Sequence, residues 1–152
     1  YLDKLNYMRA VIQRVESASV MVKNTTISNI KMGLLILLGI QKNDALKDIE
    51  YLINKISGLR IFNDGGGMNL SVQDVSGEIL VISQFTLCAD TSKGRRPNFL
   101  DAENPDVAKN MYDLFCQLLA KKQLSVSTGV FGANMDVTLV NTGPVTIILE
   151  SK

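Results

Sequence analysis

The sequence predicts a single α/β domain, with a mixed or antiparallel β-sheet or barrel-like core flanked by two helices. Three observations lead there. The chain has 152 residues, 46% of them hydrophobic, and a domain of this size buries roughly 70% of the surface its unfolded chain exposes, so it needs no metal or disulfide staple. The periodicities run strands, helix, strand, helix, strands. Strict strand–helix alternation does not persist, which disfavours a doubly wound sheet.

Taken in order, residues 8–22 read as two consecutive strands, with Val11, Gln13 and Val15 on one face and Ala10, Ile12 and Arg14 on the other. Asn24-Thr25-Thr26 signals a turn before a short strand from Ile27 to Ile30. The continuous Leu/Ile run from Gly33 to Ile40 predicts a buried strand covered on both faces. Asn43-Asp44 offers an N-cap for a helix over 45–59, whose Ile49, Leu52, Ile53 and Ile56 share a face. Asn63 to Gly67 reads as a flexible loop, 68–75 as weakly strand-like, and Glu78 to Leu87 as a second buried strand. Pro105 opens a second helix reaching about Lys122, with an expected stripe of Val107, Met111, Leu114, Phe115, Leu118 and Leu119. Strands over 124–128, 135–140 and 145–149 close the chain. Residues 1–7 read as a leader or remnant ahead of a natural start at Met8, leaving 8–152 as the domain.

Composition removes whole classes of chemistry. Histidine is absent, which excludes Ser-His-Asp and Cys-His catalysis and the commonest metal ligand. Cys88 and Cys116 form no C-x-x-C pattern, so no metal and no cofactor is expected, and free thiols suit a reducing cytoplasm. Lys+Arg number 16 against 15 Asp+Glu, so any RNA binding must come from a local patch. No apolar run approaches the ~20 residues that span a bilayer, and no membrane partner is expected.

Three polar segments invite a functional reading. Ser83-Gln84-Phe85-Thr86 ends a buried strand; its hydroxyls would ordinarily bond nearby backbone, but the Gln84 amide must find partners or a ligand. Asn141-Thr142-Gly143-Pro144-Val145-Thr146 reads alone as a plain turn, although Pro144 cannot donate to a ladder and so marks an edge or bulge. Lys93-Gly94-Arg95-Arg96-Pro97 is more commonly a solvated loop; its alternative is a clamp for phosphate or sugar. Arg14 is either buried against carbonyls of another loop or at an exposed edge. Phe131 and Met135 either fill the core or wall a pocket for a base. The cysteines read as small hydrophobes.

In combination these segments resemble the D-aminoacyl-tRNA deacylase family from Met8 to the C-terminus. Met8-Arg9-Ala10-Val11-Ile12-Gln13-Arg14-Val15 is similar to the family's opening, and Ser83-Gln84-Phe85-Thr86 and Asn141-Thr142-Gly143-Pro144-Val145-Thr146 match its S-Q-x-T and N-x-G-P-x-T motifs. Lys93-Gly94, Pro97, Phe99 and Phe131-Gly132 agree in order and spacing. The resemblance implies a cytoplasmic homodimer with two sites at the subunit interface. It implies a cis Gly143-Pro144 bond inserted into the partner's pocket and braced by Arg14, with Ser83, Gln84, Phe85 and Thr86 as the catalytic floor. It places Phe131 and Met135 near the 3′-terminal adenosine of an aminoacylated tRNA, and Lys93, Arg95 and Arg96 are expected to contact that tRNA. The implied reaction cleaves the ester of D-aminoacyl-tRNA, and of glycyl-tRNA, while rejecting L-aminoacyl-tRNA. Assistance from the tRNA's own 2′-OH is implied, with backbone N–H groups of Phe85 and Thr86 stabilising the oxyanion and Thr86 positioning rather than attacking. One alternative is a related deacylase of L-aminoacyl-tRNA with a trans Gly-Pro turn, which carries proline where Ser83 stands here. Another is a non-catalytic nucleic-acid-binding module, and the neutral net charge gives no reason to expect DNA as a partner.

Overall fold

The computed structural model describes residues 7–151; apart from Tyr7, the expected leader lies outside the described residues. Strand β1 (Arg9–Val22) runs unbroken for 14 residues. The expected pair of strands is one strand because no Gly or Pro interrupts it and β8 (Asp136–Glu150) pairs along nearly its whole length. β2 (Thr25–Ile30) and β3 (Gly33–Gly39) pair antiparallel with the two halves of β1. β6 (Glu78–Ser83) lies parallel to β3, and β7 (Ser125–Thr128) parallel to β6. The sheet order is β2-β1-β3-β6-β7 with β8 on β1. Ser28 Oγ of β2 donates to the Thr128 carbonyl of β7 at 2.6 Å, so the two ends of the sheet nearly close a barrel.

The sheet's alternation builds two cores. Leu34, Ile36, Leu38, Ile79 and Val81 point toward the helices, whereas Leu35, Leu80 and Ile82 point to the barrel interior with Val15, Val20 and Ile30. This double coverage is what the unbroken β3 run predicts. Helix α1 (Leu46–Gly58) buries Ile49, Leu52, Ile53 and Ile56 as its spacing requires; each such side chain contributes about 1.5–3 kcal/mol. Its cap differs from expectation. Asn43 adopts φ 71° and Asp44 accepts the Gln41 N–H at 2.6 Å, so Ala45 becomes the cap and donates its N–H to Asp48 Oδ2 at 2.7 Å.

Helix α2 (Pro105–Ala120) starts where Pro105 predicts, with Asn104 Oδ1 accepting the Asp106 N–H at 3.0 Å. Its buried stripe is Ala108, Tyr112, Phe115, Cys116 and Leu119, a rotation away from the expected one that leaves Val107 46% exposed. The small Ala108 and Cys116 permit close approach, and Tyr112 satisfies its buried hydroxyl by donating to the Val81 carbonyl at 2.7 Å. The expected strand over 78–87 ends at Ser83, because Phe85–Cys88 turns into a short 3₁₀ helix. Within 61–75 only β4 (Phe62–Asn63) and β5 (Met68–Leu70) pair. The two closing strands expected over 135–149 are one strand, β8, carrying a bulge.

Candidate active site

The parallel pairing of β6 with β3 stops at Leu38–Ser83, and the chain then breaks off the sheet. Gln84 still donates its N–H to the Leu38 carbonyl at 2.8 Å, which fixes where the 3₁₀ turn begins. The turn sits directly on β3 because residue 39 is glycine: a Cβ there would lie 2.9 Å from Leu87 Cβ and 3.3 Å from the Gln84 carbonyl oxygen. Within the turn, Leu87 donates to the Gln84 carbonyl and Ala89 to the Thr86 carbonyl. The N–H groups of Phe85 and Thr86 find no acceptor among the described residues, as first-turn amides of a helix do. Gln84 Nε2 hydrogen-bonds Thr86 Oγ1, which fixes both side chains.

Ser83, Gln84 and Phe85 line a cleft of about 740 Å³ together with Phe131 and Met135. Both walls are anchored. The Phe131 ring packs 5.9 Å from that of Tyr112, itself tied to Val81, the residue two before Ser83. Met135 approaches Ile82 because residue 129 is glycine; a Cβ there would stand 2.7 Å from Met135 Sδ. Phe85 is 58% exposed and meets Phe99 edge-on at 5.1 Å. Lys93, Arg95 and Arg96 are exposed on a loop closed by the Asp90–Asn98 bridge, and they do not line the cleft. Thr86 lies just beyond its lining.

Arg14, Gly143 and Pro144 come together elsewhere. Between the β1–β8 pairs Gln13–Thr146 and Val15–Asn141, residues 142–145 bulge out of the ladder, and the Gly143–Pro144 peptide bond is cis. Asn141 Oδ1 accepts the Val145 N–H at 3.2 Å and Asn141 Nδ2 donates to Thr146 Oγ1 at 3.0 Å, so the two polar ends of the motif staple the bulge shut. Arg14, half-buried, donates from Nε to the Thr142 carbonyl at 3.1 Å and from Nη1 to the Ile61 carbonyl at 2.7 Å. The carbonyl-binding role is therefore the one Arg14 adopts. A Cβ on Gly143 would stand 2.6 Å from Arg14 Nη2, at φ +124°. Gly143 and Pro144 are exposed, and neither lines the cleft of its own chain.

No titratable side chain in either place suits nucleophilic catalysis. Burial, with the nearby Asp44 charge adding, raises the Cys88 thiol to about 11; burial likewise raises Cys116 to about 12. Among the described residues no cluster of three His, Cys, Asp or Glu could hold a metal, and no helix is long and apolar enough to cross a membrane. Sequence reasoning passed over Gly39, Gly129 and Tyr112, whose roles depend on neighbours remote in the chain, and over Lys42 and Glu103 on the cleft wall.

The two-helix α/β near-barrel that frames this cleft is shared with known proteins. Residues 11–150 match the model of the D-Tyr-tRNA(Tyr) deacylase family. The chain is 54% identical to a D-aminoacyl-tRNA deacylase of Thermotoga petrophila over 95% of its length and 97% of the relative's. It is 54% identical to a protein of the same name from Bacillus cereus, over 95% of this chain and 100% of that one. A solved structure described as a c-Myc DNA unwinding element binding protein superposes with TM-score 0.89 at 43% identity, covering 95% of this chain and 99% of that one. The chain belongs to the D-Tyr-tRNA(Tyr) deacylase family, and its enzyme class is that of a D-aminoacyl-tRNA deacylase.

Proposed function

We propose that the protein hydrolyses the ester of D-aminoacyl-tRNA to free D-amino acid and tRNA in the cytoplasm, and cleaves glycyl-tRNA as well. L-aminoacyl-tRNA is rejected by the Gly143–Pro144 turn of a partner subunit in a homodimer. The observation that carries the reading is the pair of N–H groups at Phe85 and Thr86, without an acceptor among the described residues, beside the Phe131–Met135 cleft. The terminal adenosine lies along Phe131 and Met135, which presents the ester to that pair. A water oxygen attacks the acyl carbon, the carbonyl oxygen takes the negative charge, and the two N–H groups stabilise it. The ribose 2′-OH relays the water's proton to the departing 3′-oxygen as the C–O bond breaks. Thr86 Oγ1, held by Gln84, positions the turn and does not attack; no histidine is present to activate it.

Selection of handedness falls to the turn. Its backbone carbonyls accept from the substrate's α-ammonium, and with ammonium and ester both fixed the Cα substituent has two directions. A D side chain points to solvent, and an L side chain meets the turn. Glycine carries nothing to reject. Support for a partner's turn is that this chain's own turn is exposed and outside its own cleft. β8 also pairs on one side only, with Val140 49% and Ile148 64% exposed, as suits an edge covered by a second copy. The test is release of D-tyrosine from D-Tyr-tRNA with L-Tyr-tRNA left intact. Equal release from both, or from neither, overturns the reading.

A second reading rests on the 43%-identical structure named for DNA binding. Under it, Lys93, Arg95 and Arg96 would hold nucleic acid without chemistry. Retention of oligonucleotides with no ester cleavage would favour it.

A further inference from the structure

The cleft has one wall to which neither the chemistry nor the adenosine contacts assign a role. Residues 40–42 run along it, pinned to residues 101–103: Lys42 N–H donates to the Asp101 carbonyl at 2.9 Å and Glu103 N–H to the Ile40 carbonyl at 3.1 Å, with Gln41 bridged to Ala102. This backbone clamp carries Lys42 to the cleft lining. Lys42 is exposed and its ammonium has no partner among the described residues. The other charged group on that wall, Glu103, has its Oε1 engaged by the Asn104 N–H at 2.7 Å.

Beside this wall the surface changes character. Phe99 stands edge-on to the exposed Phe85, and Leu100 is 72% exposed, its N–H held by Asn98 Oδ1 at 2.7 Å. Just beyond, the Asp90–Asn98 bridge closes the loop that presents Lys93, Arg95 and Arg96 to solvent. The cleft lining thus holds a cation and an aromatic side chain together, and the loop closed beside Phe99 carries three more cations. Cations set beside exposed aromatic and apolar side chains suit a single-stranded polynucleotide, which offers both phosphates and base faces.

We propose that Lys42 receives the phosphate on the 5′ side of the terminal adenosine, and that the preceding unpaired nucleotides leave the cleft across Phe99 and Leu100 toward the Lys93–Arg96 loop. This inference rests on the deacylase reading and names the part of the same substrate that the cleft leaves outside. A single phosphate contact from an ammonium is worth about a 5- to 10-fold change in affinity, and on single strands each such contact adds about 0.7 to the salt slope.

Two measurements test it. In the first, wild type and Lys42→Gln are compared on a D-aminoacyl-adenosine, which has no phosphate, and on a D-aminoacyl-CpA, which has one. The variant loses about 5- to 10-fold more in kcat/KM on the CpA ester than on the adenosine ester, the excess lying in KM, and its slope of log(kcat/KM) against log[salt] on that ester flattens by about 0.7. Equal losses on both esters, or an unchanged salt slope, overturn the proposal. The second measurement needs no catalysis: fluorescence anisotropy of a CCA trinucleotide. Lys42→Gln weakens binding about 5-fold, and Phe99→Ala weakens it further. Unchanged affinity in both variants overturns the track. Wild type that binds CCA in this Lys42-dependent way yet cleaves neither ester sinks the deacylase reading while sparing the track.

Discussion

The strand end at Ser83–Thr86 and the bulge at Gly143–Pro144 are motifs of similar size and polarity, yet their main chains and side chains play opposite parts. At the strand end the fold leaves two amides free beside a cleft, while Gln84 and Thr86 bond each other. In the bulge Arg14 and Asn141 hold the backbone, Thr146 is bonded to Asn141, and Gly143 and Pro144 are exposed. Under the proposed function one region supplies donors and the other acceptors. Together they suit a substrate with a developing oxyanion at one end and an ammonium at the other. Under the proposed function the contrast is what lets a chain without histidine host ester chemistry: the polar side chains build the main-chain geometry, and the main chain is left to meet the substrate.

The sharpest way to break that division is at Gly143. Alanine there forces a Cβ to 2.6 Å from Arg14 Nη2 at φ +124°, so the turn and its brace cannot both stay in place. Deacylation of D-Tyr-tRNA by Gly143→Ala is expected to fall by about 100-fold or more, since small misplacements of a positioning group cost that much. Circular dichroism should show a folded chain, because Gly143 and Pro144 lie outside both cores. Activity within a few-fold of wild type would mean that the turn is only a turn.

Arg14→Ala comes next, removing the donor from the Thr142 and Ile61 carbonyls at once. We expect about a 10-fold loss on D-Tyr-tRNA, since orientation rather than a reacting group is removed. The D/L ratio should relax, and Arg14→Lys should restore only part of it because an ammonium lacks the planar fork that serves two acceptors. An unaltered D/L ratio in Arg14→Ala would separate the brace from selectivity. At the strand end the expected effect is smaller. Thr86→Ala keeps the amide and deletes the hydroxyl, so turnover should drop by no more than about 3-fold, far short of the 10²–10³ that loss of an oxyanion donor costs. Complete loss would make Thr86 Oγ1 the nucleophile.

These two regions were not equally legible. The buried runs of β3 and β6 and the stripe of α1 follow from local periodicity, since each residue's environment is set by its own element. The stripe of α2 does not, because Tyr112 turns inward for a hydrogen bond to a strand 31 residues away in sequence. Continuity of β1 and β8 is equally remote: Gln13 pairs with Thr146, and only that pairing shows that Asn141 and Thr146 bracket a bulge instead of ending two strands. The free amides were foreseeable as soon as a break after Ser83 was granted, but the residue that permits the break to pack is Gly39 on another strand. The Asn43-Asp44 cap failed for a local reason. Asn43 tolerates positive φ, so the chain turned before the helix began.

That misplaced cap leads to the gentlest test of the comparison, since neither region contains a titrating group while the neighbouring Asp44 does titrate. Burial raises its carboxyl to about 7, with the Asp48 and Glu103 charges adding to the effect and the Gln41 N–H opposing it. Its Oδ1 is buried with no hydrogen-bond partner among the described residues. A raised acid pKa means the folded chain still holds a proton that the unfolded chain has released, so Asp44 lowers stability as pH rises from about 4 to about 7 and changes nothing further above that. Asp64 and Asp74 are shifted the other way by backbone N–H bonds from Gly66 and Ser71, so the stability they supply is lost only as pH falls below the ordinary carboxylate range. Between pH 5 and 8 the wild-type Tm should therefore decline by about 3 °C, and Asp44→Asn, whose amide oxygen can still accept from Gln41, should flatten the decline and melt higher at pH 8. The D/L ratio of Asp44→Asn should match that of wild type at every pH in this range, because main-chain donors and acceptors do not titrate and the substrate's own ammonium titrates alike with both proteins. A pH-dependent ratio in wild type that disappears in Asp44→Asn would place a protein charge in the selection step, and the account of handedness by backbone alone would fail.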